Sequence, residues 1–139
     1  MTEPEYRFFI HIDVRFRDVD ALNHVNNAVY FTYMEQARVH YMKHLGLVDG
    51  EAPDFNFIIA EAACTFKQPI FLGQNVIVRI RAADLKNSSF AFEYSIDDAD
   101  TGRVLAIGRT VQVCYDYENN KPVPIPAEWR ARMEAFENG

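Results

Sequence analysis

A single long helical pattern stands between strand patterns, and this limits the chain to few architectures. From about Asn27 to His44 the residues Val29, Tyr33, Ala37, Tyr41 and Leu45 recur every four positions. Tyr30 and Met34 widen the stripe, so one helical face is apolar. Gly46 supplies a C′ stop, and Lys43 and His44 suit the negative helix end. Four strand-like segments follow without another long helix, at Ile58 to Lys67, Asn75 to Leu85, Phe90 to Asp97 and Val104 to Tyr117. A lone apolar stripe must be covered, and a sheet is the available cover, which predicts an α+β layer fold.

Upstream, Phe8, Ile10, Ile12, Val14 and Phe16 alternate with Phe9, His11, Asp13 and Arg15, a period of two that predicts a first strand over Phe8 to Phe16. Pro69 and Gly73, then Lys86-Asn87-Ser88, then Asp97 to Gly102 punctuate the later strands with turn residues. The last three strands are therefore expected to form an antiparallel meander. Val123-Pro124-Ile125-Pro126 reads as extended, and Trp129, Met133 and Phe136 mark a short amphipathic C-terminal helix. Five strands leave open edges, so edge pairing between subunits is expected.

The 139 residues fit one domain, read as 1–139. A hydrophobic content of 49% excludes a disordered chain, and a net charge of -6 argues against nucleic acid as a partner. Any anionic ligand must meet a local basic patch. Cys64 and Cys114 lie in apolar runs without a Cys-x-x-Cys spacing and read as free thiols of a reducing, cytoplasmic setting. No apolar run approaches the roughly 18 residues of a membrane span, and the four scattered histidines predict no metal site.

The stretch from Arg15 to Tyr30 concentrates the chemistry. It packs Asp18, Asp20, His24 and the carboxamides Asn23, Asn26 and Asn27 between strand and helix, where backbone N–H groups at a helix start lie unbonded. Asn26 and Asn27 are natural N-caps. Asp18 reads as structural, paired to Arg15 or Arg17, whereas Asp20 reads as catalytic or as an Asx-turn residue. Glu61, before Ala62-Ala63-Cys64, reads either as a site-facing carboxylate or as a strand-end surface charge.

Strand, Asp-x-x-x-His-Val-Asn-Asn-x-x-Tyr turn, long helix and meander together resemble the hotdog-fold acyl-CoA thioesterases of the 4-hydroxybenzoyl-CoA thioesterase type. Tyr33-Met34-Glu35-Gln36-Ala37-Arg38 and Phe66-Lys67-Gln68-Pro69 followed by Gly73 support it. The resemblance implies a long central helix wrapped by a five-stranded antiparallel sheet, with two subunits joining sheets as a homodimer or homotetramer. It implies hydrolysis of an acyl-CoA, or of an acyl carrier protein thioester, without metal or redox cofactor. It makes Asp20 the catalytic carboxylate, as nucleophile or as general base on water, and the Asn27 amide the group that polarises the thioester carbonyl. The His-Val-Asn-Asn run resembles the fatty-acyl branches, which also use a histidine and a downstream glutamate, matched by position to His24 and Glu61.

Coenzyme A carries several phosphate charges, so Arg79, Arg81, Lys86, Arg103 or Arg109 is expected to meet them, with the Lys86 to Ser88 turn first among these. Tyr30, Tyr33, Phe57 and Ile58 are expected to line the acyl pocket. Two alternatives are an acyl carrier protein thioesterase, which would need a basic docking surface, and a non-catalytic acyl-CoA-binding protein of the same fold.

Overall fold

The computed structural model describes residues 5–49, 52–53 and 57–139. In chain order the elements are β1 (Phe8–Ile12), a 3₁₀ turn (Phe16–Asp18), α1 (Asn27–His44), β2 (Val48–Asp49), β3 (Ala52–Pro53), β4 (Phe57–Phe66), β5 (Val76–Ala83), β6 (Ser89–Asp98), β7 (Val104–Asp116), β8 (Lys121–Pro122) and α2 (Ala127–Asn138). The main sheet is antiparallel in the order β1-β5-β6-β7-β4, with the short β8 added to β7. The five expected strands and the meander β5-β6-β7 are present, and β8 makes six. The loop expected after Gly46 holds the small β2-β3 ribbon, and its residues 50–51 and 54–56 lie outside the described residues.

Paired residues share a face of a sheet, and one row runs Phe8, Ile80, Tyr94, Gly108, Cys64 across all five main strands. That is the inner face, covered by α1 through Tyr30, Tyr33, Met34, Ala37 and Tyr41, all buried. At Gly108 helix and sheet approach closely, since a Cβ there would lie 2.6 Å from Met34 Sδ. The outer face carries the alternate residues, among them Arg79, Arg81, Glu93, Asp97 and Arg109, joined in ion pairs. The C-terminal helix docks with Trp129 and Met133 buried, and Glu137 accepts from the Tyr41 hydroxyl (2.6 Å) and from Ala82 N–H (2.8 Å). Arg132 of α2 donates to the carbonyls of Leu45 and Gly46 at 3.0 Å, capping α1, whose chain reverses through Gly46 at φ +73°.

The first strand ends at Ile12, four residues short of the expected Phe16, which is 81% exposed. The alternation continues in the sequence, but burial of Asp18 prevails over it. Its carboxylate accepts from Arg15 N–H (2.9 Å), from the Arg15 guanidinium (3.0 Å) and from the Tyr33 hydroxyl (2.9 Å), which winds residues 16–18 into a turn. Of the two expected partners it is Arg15 that pairs with Asp18. Burial alone would raise the Asp18 carboxyl, yet the hydrogen bonds from Arg15 and Tyr33 outweigh it and hold the group below the usual carboxylate range.

A carboxyl depressed on folding stabilises the fold above its unfolded value, about 3.9, and that contribution is lost as pH falls through the folded value. Asp18→Asn is therefore expected to destabilise the protein by about 2–3 kcal/mol near pH 7. The gap between the urea midpoints of wild type and variant should close as pH falls below about 4. A gap independent of pH would mean that the charge of Asp18 is not what holds the turn.

Candidate active site

The chain between the 3₁₀ turn and α1 is a tight loop built on its own backbone. Val19 bridges Val25, Asn26 N–H donates to Asp18 C=O (2.9 Å), and Asp20 N–H donates to His24 C=O (2.8 Å). Asp20 organises the tip, because its Oδ1 accepts from Leu22 N–H (2.9 Å) and His24 N–H (3.2 Å), while Asn23 turns the chain at φ +64°. This is the Asx geometry. It engages one carboxylate oxygen and leaves Oδ2 without a hydrogen bond among the described residues. The side chain is exposed at the rim of the site.

Asn26 is the N-cap of α1, its Oδ1 accepting from Ala28 N–H at 2.9 Å, and its carbonyl accepts from Val29 N–H at 2.9 Å. Between these two, the Asn27 N–H has no acceptor among the described residues. It is an exposed donor at the positive end of a helix of 18 residues. Asn27 lines a cleft of about 230 Å³ together with His24, Val25, Tyr30, Phe66, Lys67, Gln68 and Pro69.

The far wall of the cleft is the chain leaving β4. Val25 N–H donates to Ile70 C=O (2.8 Å), His24 bridges Phe71, and their rings meet edge to face at 5.2 Å, so the loop is fastened to this wall. Tyr30 closes the floor, its ring 4.8 Å from that of Phe66 and its hydroxyl donating to Gln68 C=O at 3.4 Å. Burial raises the Tyr30 phenol and pushes the nearby Cys64 thiol up to about 11, so both are protonated at neutral pH and Cys64 is not a thiolate nucleophile. Cys64 and Cys114 are both free thiols.

Of the residues singled out from sequence, the fold brings His24, Asn27 and Tyr30 together in this cleft, with Asp20 on the adjoining loop. Tyr33 does not line it. That side chain is buried in the core, with its hydroxyl committed to Asp18. Glu61 pairs with Val111 on the outer face, just past a bulge at Ala60, and is exposed as a surface charge. It stands five residues from Phe66, about 16 Å along the strand. Phe57 lies at the opposite end of β4, against Phe90 and Trp129, with Ile58 beside it. Lys86 and Ser88 occupy the turn between β5 and β6, at the end of the sheet away from the loop, with Lys86 C=O accepting from Arg130 of α2. Within one protomer these five, Glu61, Phe57, Ile58, Lys86 and Ser88, stand apart from the cleft.

Sequence reasoning uses Phe66-Lys67-Gln68-Pro69 only as support for the resemblance, and does not place these residues, or Phe71, as a wall of the site. A signal is present in the Pro69 turn directly after a strand, but no short motif joins that turn to His24, 45 residues earlier. Among the described residues, no three His, Cys, Asp or Glu side chains converge as metal ligands, and no helix is long and apolar enough to cross a membrane.

Comparison with known proteins agrees with the fold. A thioesterase from Thermus thermophilus, crystallised with coenzyme A and Zn, superposes with a TM-score of 0.83 at 34% identity, the match covering 96% of each chain. The long-chain acyl-CoA thioesterase FadM of Escherichia coli is 24% identical over 124 residues, 88% of this chain and 94% of FadM. The chloroplastic acyl-acyl carrier protein thioesterase ATL3 of Arabidopsis thaliana is 24% identical over 133 residues, 91% of this chain and 67% of ATL3. The model of the thioesterase-like superfamily matches residues 14–133, from the end of the first strand segment into α2. Sequence and hotdog architecture together establish that this chain belongs to the thioesterase-like superfamily.

Proposed function

We propose that the protein hydrolyses an acyl-CoA to the free acid and CoA. The observation that carries this reading is the unbonded Asn27 N–H at the start of α1, facing a cleft that also holds His24 and adjoins the Asp20 loop. A thioester carbonyl seated on that N–H is polarised by a donor whose position the N-cap has already fixed. Such a donor gains most at the oxygen where charge develops. Asp20 Oδ2 then acts in one of two ways. As a base it takes a proton from water as the water oxygen bonds to the carbonyl carbon. As a nucleophile it bonds to that carbon itself, and water opens the resulting anhydride. In either route the carbon–sulfur bond breaks and the thiolate leaves and is protonated, giving acid and CoA. His24 is assigned to holding the water or orienting the thioester. The coenzyme A bound to the Thermus relative supports CoA as the carrier.

The active form is proposed to be a homo-oligomer built on β4. This strand is the edge of the sheet, and among the described residues its outer side is unpaired. Most of its residues are exposed, including Ile59 and Phe66 at 40% each. An apolar open edge of ten residues is a template for pairing with a second copy. Antiparallel pairing would set the Phe57 end of one β4 beside the Phe66 end of the other. In this reading Phe57 and Ile58 of the partner subunit reach the acyl group, and Lys86 and Ser88 of the partner subunit approach the CoA. Glu61 stays on the outer face in such a continuous sheet and takes no part in the reaction.

Asp20→Asn retains Oδ1 as the acceptor for Leu22 and His24 and removes the charge. It is expected to lower kcat by about 10²–10⁴ on a panel of aliphatic and aromatic acyl-CoAs, with circular dichroism unchanged. Undiminished turnover would move the chemistry away from Asp20. No turnover of any thioester by the wild type would favour a binding protein.

Sedimentation velocity should show a dimer or tetramer at micromolar concentration. Ala62→Lys, which places a charge on the inner face of β4, should shift that species toward the monomer and lower activity with it. A monomeric, fully active wild type would remove the β4 interface from the proposal.

A further inference from the structure

We propose that the phosphate groups of the CoA substrate are held within one protomer by Arg103, in a second cleft that continues the reaction cleft across Gln68 and Pro69, and by Lys67, which lines the reaction cleft next to that junction. This deepens the acyl-CoA reading above and rests on it. The second cleft, of about 270 Å³, shares Gln68 and Pro69 with the first and is further bounded by Thr101 and Arg103. A substrate whose thioester sits at Asn27 therefore has one continuous surface for the rest of its length.

The charges separate this cleft from the others. On the outer face of the sheet a cleft of about 470 Å³ contains Arg79, but Arg79 is 2.8 Å from Asp97. A neighbouring cleft of about 260 Å³ contains Arg109, which pairs with both Asp84 (2.9 Å) and Glu93 (3.2 Å). Arg103 and Lys67 have no ion-pair partner among the described residues, and both are exposed. On a chain of net charge -6, unpaired cations beside an active site are where a polyanionic ligand finds local attraction.

The backbone under these cations is fixed. Lys67 N–H and Gln68 N–H both donate to Leu105 C=O, at 2.9 and 3.0 Å, and Arg103 C=O accepts from Asp98 N–H at 2.9 Å. Gln74 ties the two sides together, accepting from Phe71 N–H (3.0 Å) and donating to Asp98 Oδ2 (2.7 Å). Asp98 is the carboxylate in this cleft, and its oxygens are already engaged. Gln74, the N–H groups of Asp100 and Thr101, and nearby Arg103 hold its carboxyl below the usual range. Arg103 is left with its fork of donors for a phosphate.

The test is steady-state kinetics on one acyl group carried by CoA, by pantetheine, which lacks phosphate, and by acyl carrier protein. Arg103→Gln and Lys67→Gln are each expected to raise KM for the acyl-CoA about ten-fold at low salt, with kcat within about two-fold. KM for the pantetheine thioester should not change, and neither should any parameter of Lys121→Gln on the distant β8. An unchanged KM for acyl-CoA overturns the proposal. So does an equal rise for the pantetheine thioester, or an effect confined to the carrier-protein thioester. If the wild type turns over none of the three, the thioesterase reading fails separately. Calorimetry with CoA itself then decides the cleft: binding weakened in the double variant supports it, and equal or absent binding overturns it.

Discussion

The carboxylate of Asp18 is the point on which the site depends. It is 2% exposed, and it draws together three parts of the chain that the sequence keeps apart. Arg15 binds it from the end of β1, Tyr33 from the middle of α1, and its backbone carbonyl accepts from Asn26, the N-cap. A buried charge in such a place is tolerated only when its lone pairs are filled. Here hydrogen bonds from Arg15 and Tyr33 fill them. The consequence reaches beyond stability, because the same contacts set where α1 begins. Since α1 begins at Asn27, the residue whose N–H is left without an acceptor among the described residues is one that lines the cleft.

In the proposed reaction Asp20 divides its carboxylate between structure and chemistry. One oxygen closes the loop tip, so the side chain is held by the backbone that it organises. The other is free to meet substrate or water. A turn-forming role and a reactive role are often treated as competing readings of an aspartate at a helix approach, but in this loop the first prepares the second. The reactive oxygen needs no further side chain to orient it, which fits the absence of Glu61 from the cleft.

Where the sequence is informative, it is so because a pattern repeats. The stripe from Val29 to Leu45 locates α1, and the strand-like segments between turn residues locate β4 to β7 within about two residues of their ends. What escapes is decided by single contacts. Phe16 continues the alternation of β1 and is nevertheless exposed, because placing Asp18 inside requires a turn just before it. Tyr33 lies on the apolar stripe and reads as a pocket residue, since the stripe says nothing about where a hydroxyl ends. Glu61 sits in an apolar stretch, yet β4 is an edge with exposed faces, and a bulge at Ala60 sets its side. The wall at Phe66 to Phe71 is long-range by nature, joined to the His24 loop only through contacts that form on folding.

The shape of the cleft bears on where an acyl group can go. In one protomer the cleft is shallow, closed below by Tyr30 and Phe66, and the space under α1 is filled by Met34, Ala37 and Tyr41 against Gly108 and Phe92. In the proposed reaction, an acyl chain with its carbonyl at Asn27 would therefore run along the helix rather than beneath it, over Cys64 and Ala62 of β4. That strip is apolar and open to solvent in the isolated chain. Burying it would gain roughly 25 cal/mol per Å², whether the cover is an acyl chain or a second subunit. Substrate binding and subunit pairing thus draw on the same surface. If two copies pair through β4 as proposed, acyl preference becomes a property of the gap left between the two β4 edges rather than of the Asp20 to Asn27 loop.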